Sequence, residues 1–155
     1  RFVLMVNREL ARPDASRPDS RGRRTDASTA YAEAIRHEPH GRDELLVQQL
    51  LEHRRLIQRA VPTRLFAALA EGRLVSHCEL YSAGGVGQVE NVATLPAFRG
   101  RGLATALVEC AVSESRAGGN ELTFLVAGAD DWPKLLYEKL GFEIVGRYAR
   151  YLRRL

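Results

Sequence analysis

Cysteine is scarce in this chain. Cys78 and Cys110 are the only two, and they are not in a C-x-x-C spacing, which argues against a disulfide framework and for buried thiols in a reducing compartment, the cytoplasm by default. Long apolar runs are missing as well. The longest, Phe2–Val6 and Leu65–Ala70, fall far short of the roughly 18 to 20 residues a bilayer-spanning helix needs, so no transmembrane helix is expected. Lysine is nearly absent, with Lys134 and Lys139 the only two among 23 basic residues. Arginine suits bidentate contacts to phosphate or carboxylate, but usage this lopsided also follows from genomic base composition, so the net charge of +4 carries little weight. No G-x-S-x-G elbow, no P-loop and no internal repeat occurs.

What is present is globular in balance. In 155 residues, 45% are hydrophobic and 27% charged, enough for one domain with a real core. The chain starts at Arg1 rather than a methionine, and residues 1–6 are too short for the apolar region of a signal peptide. Phe2–Val6 reads as a strand resembling the last strand of a preceding domain. The expectation is that residues 1–10 are a remnant, that the start is a cut or processed end, and that the chain is the C-terminal part of a larger polypeptide. Residues 11–26, rich in arginine, proline and serine, read as a polar linker. A nucleic-acid arm is the alternative there, but no aromatic residues interleave with the arginines for stacking.

The rest, 27–155, carries alternating patterns. Helices are predicted over 28–37 and 43–60, the second with Leu46, Leu50, Ile57 and Val61 inward and Leu45, Leu51 and Leu56 flanking. Strands over Leu65–Ala70, Leu74–Tyr81 and Val86–Leu95 are joined by Glu71–Gly72 and by Ser82–Gly85, links short enough for an antiparallel meander. A helix follows over Gly102–Arg116, then a strand over Leu122–Val126, a helix over Pro133–Leu140, and two closing strands, Phe142–Val145 and Tyr148–Leu152.

The most informative stretch runs from Val89 through Arg99-Gly-Arg-Gly-Leu-Ala104, a strand feeding a glycine-bearing turn and a helix. Glycines at a helix N-terminus let unpaired N–H groups close on an anion, assisted by the helix dipole. Arg99–Ala104 resembles the R/Q-x-x-G-x-G/A signature of the GNAT acetyltransferase superfamily, and Leu136-Tyr-Glu-Lys-Leu-Gly-Phe142 resembles that family's C-terminal helix-to-strand segment. The resemblance covers about Arg64 to Val145. It implies an α/β fold with a mixed, mostly antiparallel central sheet flanked by helices. It further implies an N-acyltransferase that moves an acetyl group from acetyl-CoA, as cosubstrate, to a primary amine on a small molecule or peptide. The alternative is a non-catalytic acyl-CoA-binding regulatory module. Neither a metal nor a membrane is implied.

Site residues follow from the same resemblance. Arg99, Gly100, Arg101, Gly102, Leu103 and Ala104 would hold the pyrophosphate, and Val92, Ala93 and Thr94 would pair with the pantetheine arm. Where the family often has Asn seven residues before the tyrosine, this chain has Asp130. Tyr137 would protonate the departing thiolate. An alkylamine of pKa near 10.4 is only about one part in 2,500 neutral at pH 7, so a carboxylate base helps, and strand alternation puts Gln88, Glu90 and Val92 on one face with Glu90 its only carboxylate. Glu79 is the rival base. Adjacent His77 and Cys78 should point to opposite faces and form no dyad. His37 and His40 could line a substrate pocket, since Pro39 and Gly41 break the helical spacing a zinc site would need.

Overall fold

The computed structural model describes residues 1–7, 32, 35–36 and 43–151. The linker 11–26, His37, His40 and the C-terminal residues 152–155 lie outside the described residues, as does most of the predicted helix 28–37, of which Ala32, Ile35 and Arg36 are helical.

The strands are β1 (Phe2–Asn7), β2 (Thr63–Ala70), β3 (Arg73–Ala83), β4 (Val86–Thr94), β5 (Leu122–Gly128) and β6 (Phe142–Tyr148). Among the described residues the complete helices are α1 (Glu44–Ala60), α2 (Leu103–Ala117) and α3 (Pro133–Lys139), with a 3-10 turn at Pro96–Phe98. The six strands form one sheet in the order β2-β3-β4-β5-β1-β6, antiparallel throughout except for the β4–β5 pair. The β2–β3–β4 meander is as the sequence predicts. Its second link is a two-residue turn at Gly84–Gly85, both with positive φ, as the twist of a tight hairpin requires.

The main core lies on the α2 face of the sheet. Val3 and Met5 of β1, Cys78 and Leu80 of β3, Val89 of β4, Leu125 of β5 and Phe142 of β6 meet Val108 and Ala111 of α2 and Tyr137 of α3. On the opposite face, α1 is capped by Asp43, whose side chain accepts from the Leu46 N–H at 3.1 Å. Its buried line is Val47 and Arg54, seven residues apart, while Leu45 and Leu56 are exposed. The apolar pattern alone centred this face on the leucines. Glu79, buried in β3, draws Arg54 inward and rotates the face toward it.

Two expectations are corrected here. The N-terminal strand, set apart from the domain as a remnant, is built into the sheet between β5 and β6, with Val3↔Ala127 and Met5↔Leu125 on one side and Met5↔Ile144 on the other. The closing segment is one strand, Phe142–Tyr148, not two; Tyr151 is exposed and outside any strand. β6 ends the sheet, paired to β1 along one edge. Asn7 fastens the end of β1, donating to the Leu140 carbonyl at 2.8 Å and accepting from Arg116 of α2.

Candidate active site

The site begins where two paired strands separate. β4 and β5 are in register only at Val86↔Leu122, Gly87↔Thr123 and Gln88↔Phe124. Beyond Gln88 the edge of β4 that faces β5 has no ladder partner. On its other edge β4 stays paired to β3, but with a bulge: Ser76↔Thr94 and His77↔Ala93 are followed by Glu79↔Glu90, so Asn91 and Val92 together oppose Cys78 alone. Asn91 carries the left-handed backbone of that bulge, at φ 53°.

The bulge resets the strand's alternation, which corrects the expectation for Glu90. Val92 packs into the core with Cys78 and Val89, whereas Glu90 faces its cross-strand partner Glu79 on the α1 side. Glu90 and Val92 therefore lie on opposite faces. Glu90 is half-buried and accepts a 2.5 Å hydrogen bond from the Gln88 side chain. Burial raises its carboxyl above the usual range, while the Gln88 amide, the Asn91 backbone N–H and Arg150 pull in the other direction.

Glu79 is differently placed. It is 0% exposed, and both its oxygens are engaged: Oε1 by Arg54, and Oε2 by the Tyr81 hydroxyl at 2.7 Å and the Asn91 side-chain amide at 2.8 Å. A carboxylate held by three donors inside the protein is a structural counter-ion, poorly suited to take a proton from a substrate.

A cleft of about 1010 Å3 opens along the free edge of β4. Val92, Ala93 and Thr94 form one wall and Arg99, Gly100, Gly102, Leu103 and Ala104 its end, with Trp132, Pro133, Leu136 and Tyr137 of the α3 region opposite. Arg101 is not on this lining: its side chain turns back to the Ala97 carbonyl and stacks over Phe98. Arg99 lines the cleft with its Nε donating to the Thr94 carbonyl at 3.1 Å, which ties the turn to the end of β4. The first bond within α2 is from the Ala106 N–H to the Gly102 carbonyl, and no side chain caps the helix. The N–H groups of Gly102, Leu103, Ala104 and Thr105 thus have no acceptor within the helix, and the helix dipole adds positive potential. Gly102, at φ 75°, makes the corner without a side chain to cover them.

Tyr137 is only 7% exposed, its ring edge-on to Phe142 at 6.1 Å. Burial, and behind it the neighbouring Cys78, Glu90 and Asp131, push its phenol up to about 12, so it holds its proton throughout the neutral range. Cys78 is buried, with its thiol also pushed up to about 12. It points into the core while His77 lines the cleft, so the two do not form a dyad. Asp130 is exposed and off the lining. Sequence patterns did not single out Trp132, Asn91 or the cleft position of His77. Trp132, 65% exposed directly before the proline of α3, had a readable signal as the only tryptophan at a helix start.

His77 gives a direct pH prediction. Burial lowers its imidazole from 6.5 to about 4, with Arg54 adding to the shift and Glu79 opposing it. The unfolded chain then takes up a proton between these values that the folded chain refuses, so stability is lost as pH falls from about 6.5 to about 4. The loss amounts to about 3 kcal/mol at most. Denaturant melts from pH 7 to 4 should show a flatter decline for His77→Gln than for the wild type; parallel curves would refute the assignment.

A family model described as an acetyltransferase (GNAT) domain matches residues 62–144, just over half of the chain. No curated protein matches the chain. Among solved structures, a putative GNAT-family acetyltransferase from Novosphingobium aromaticivorans is 20% identical with a TM-score of 0.65, over 93% of this chain and 60% of its own. This chain therefore spans well under two thirds of that relative. AAC(6')-Iy, an aminoglycoside N-acetyltransferase solved with the bisubstrate analogue CoA-S-monomethyl-acetylneamine, is 20% identical with a TM-score of 0.64, over 83% of this chain and 92% of its own. The ribosomal-protein-S18-alanine N-acetyltransferase of Escherichia coli is 22% identical with a TM-score of 0.54, over 60% of each chain. At such identities these likenesses establish the fold.

Proposed function

The chain belongs to the GNAT acetyltransferase family, and on that premise we propose that it moves an acetyl group from acetyl-CoA directly to a primary amine, with no acyl-enzyme intermediate. The observation that carries this reading is the convergence on one cleft of three features: the unpaired edge of Val92–Thr94, the free N–H groups at the start of α2, and the Tyr137 phenol. A strand edge offers N–H and C=O groups to an amide-bearing arm, and a helix N-terminus accepts a pyrophosphate. An acid held protonated near the join can serve a leaving thiolate.

The bulge gives this arrangement a direction. Glu90 stands on the α1 face of β4 and Tyr137 packs on the α2 face, so base and acid approach the splayed strands from opposite sides. In direct transfer the amine adds to the thioester carbonyl to give a tetrahedral oxyanion, which collapses with departure of the thiolate. Glu90 takes the amine's proton, directly or through water, an N–H of the Val92–Thr94 edge stabilises the oxyanion, and Tyr137 returns a proton to sulfur. The carboxyl of Glu90, raised by burial, is a stronger base than a solvated glutamate. Two free thiols, Cys78 and Cys110, support a reducing compartment such as the cytoplasm.

The test is a CoA-release and thermal-shift screen with acetyl-CoA and succinyl-CoA against a panel of amines. Because the named relatives act on an aminoglycoside and on a ribosomal-protein alanine, the panel includes an aminoglycoside and an alanine-initiated peptide beside simple polyamines and a lysine peptide. Acetyl-CoA should raise the melting temperature progressively, with the logarithm of its concentration once above Kd, and at least one amine should release CoA. A thermal shift without turnover for any amine would favour a binding module.

A further inference from the structure

One cluster, built on a buried ion pair and reaching the surface at Asn91, is not used by the chemistry above. Arg54 of α1 and Glu79 of β3 form an ion pair inside the protein, 5% and 0% exposed. The second carboxylate oxygen of Glu79 accepts from Tyr81 and from Asn91, and the Asn91 amide also reaches the Tyr81 hydroxyl at 3.2 Å. Asn91 is the residue of the β4 bulge with left-handed backbone, a conformation that costs a non-glycine residue about 1 to 2 kcal/mol and that asparagine tolerates better than most. The side chain of the strained residue is therefore clasped to a buried ion pair anchored on two other elements.

That bulge decides two things about the cleft. It puts Glu90 and Val92 on opposite faces of one strand, and it lies just past the last β4–β5 pair, where the free edge of Val92–Thr94 begins. Resting on the acetyl-transfer reading, we propose that Asn91 is a positioning residue: through Glu79 and Arg54 it fixes the bulge that sets the Val92–Thr94 edge, and the thioester paired with it, relative to Glu90. Asn91 is not on the cleft lining. Its effect is on alignment, where a displacement of about 1 Å can cost up to 10²-fold in rate.

The first variant is Asn91→Gly, since glycine keeps the left-handed backbone and removes the side-chain donor while also freeing the chain, so Tyr81→Phe, which leaves the bulge backbone unchanged, is read beside it. With the cognate amine, kcat should fall about 10-fold while the Kd of acetyl-CoA stays within about 3-fold, because the pyrophosphate end of the cleft at Gly100–Ala104 is untouched. In the free protein, amide exchange at Val92–Thr94 should speed up about 10-fold or more with Leu80 and Val89 unchanged. Tyr81→Phe, which loses one bond to Glu79 and one from Asn91 but keeps the ring, should show the same pattern at about 3-fold in kcat, and it serves as the test if Asn91→Gly does not fold. Wild-type kcat in a variant of an active enzyme overturns the inference, as does a loss that only follows the fraction of folded protein. If the wild type releases no CoA with any amine, the acetyl-transfer reading fails and exchange alone decides: acceleration at Val92–Thr94 upholds the clasp, and unchanged exchange overturns it.

Discussion

Gly102→Glu will raise the Kd of acetyl-CoA by at least about 100-fold. Gly102 is the left-handed corner at the start of α2, and a Cβ built on it meets nothing within 4 Å, so a side chain there projects into the open cleft beside the free N–H groups. A carboxylate so placed opposes a pyrophosphate at close range. One such pair at about 4 Å is worth about 1 kcal/mol in water and about 4 kcal/mol at the dielectric of a protein surface. That range is about 5- to 10³-fold in affinity for a single charge pair, before any blocked hydrogen bond is counted. Gly102→Ala is the control for backbone strain, costing about 1 to 2 kcal/mol of stability without adding charge. Calorimetry on folded Gly102→Glu showing wild-type affinity would remove the pyrophosphate from this end of the cleft.

Glu90→Gln and Tyr137→Phe will each lower kcat by about 10²-fold or more, the contribution of a general base or acid, with little change in acetyl-CoA affinity. The pH dependence separates the two. Glu90 ionises above the usual carboxylate range because it is buried, so the wild-type rate should rise through a limb displaced upward from an ordinary glutamate. In Glu90→Gln that limb should vanish, leaving a rate that follows the free amine. Tyr137, with its phenol at about 12, is protonated across the working range, so it contributes no falling limb below about pH 10. Tyr137→Phe should therefore keep the wild-type profile at lower amplitude and recover part of its loss with an acyl donor whose thiol is more acidic. Wild-type turnover in both variants would refute the roles. Glu79 is then a poor substitute for the base, because Arg54, Tyr81 and Asn91 already occupy its oxygens. Glu79→Gln should lower stability more than it changes the shape of the pH profile.

The elements and the cosubstrate end of the site were legible in the sequence because local features dictate them. Two-residue turns set the β2–β3–β4 meander, Pro96 and the glycines of Arg99–Ala104 set the strand-to-helix turn, and the apolar spacing around Tyr137 set α3. Each depends on backbone freedom or on periodicity within a few residues, so a linear reading reaches it. Tyr137 was proposed as the acid from its motif, and its burial explains why it keeps its proton.

What pairs across the sheet was not legible. Strict alternation placed Glu90 with Val92, and one extra residue in β4, visible only against its partner β3, reversed that. Arg54 carries no apolar signal and is buried only because Glu79, 25 residues away, is buried opposite it. Phe2–Asn7 has the pattern of a strand in either setting. Its place between β5 and β6 depends on two unpaired edges that exist only once the distant segments 122–128 and 142–148 have folded. The sequence by itself determined most of the strands and helices and the glycine-bearing turn before α2, whose causes are local. The tertiary structure decided which faces meet, which carboxylate is free and where the first strand belongs, because hydrogen-bond register and charge pairing are relations between segments far apart in the chain.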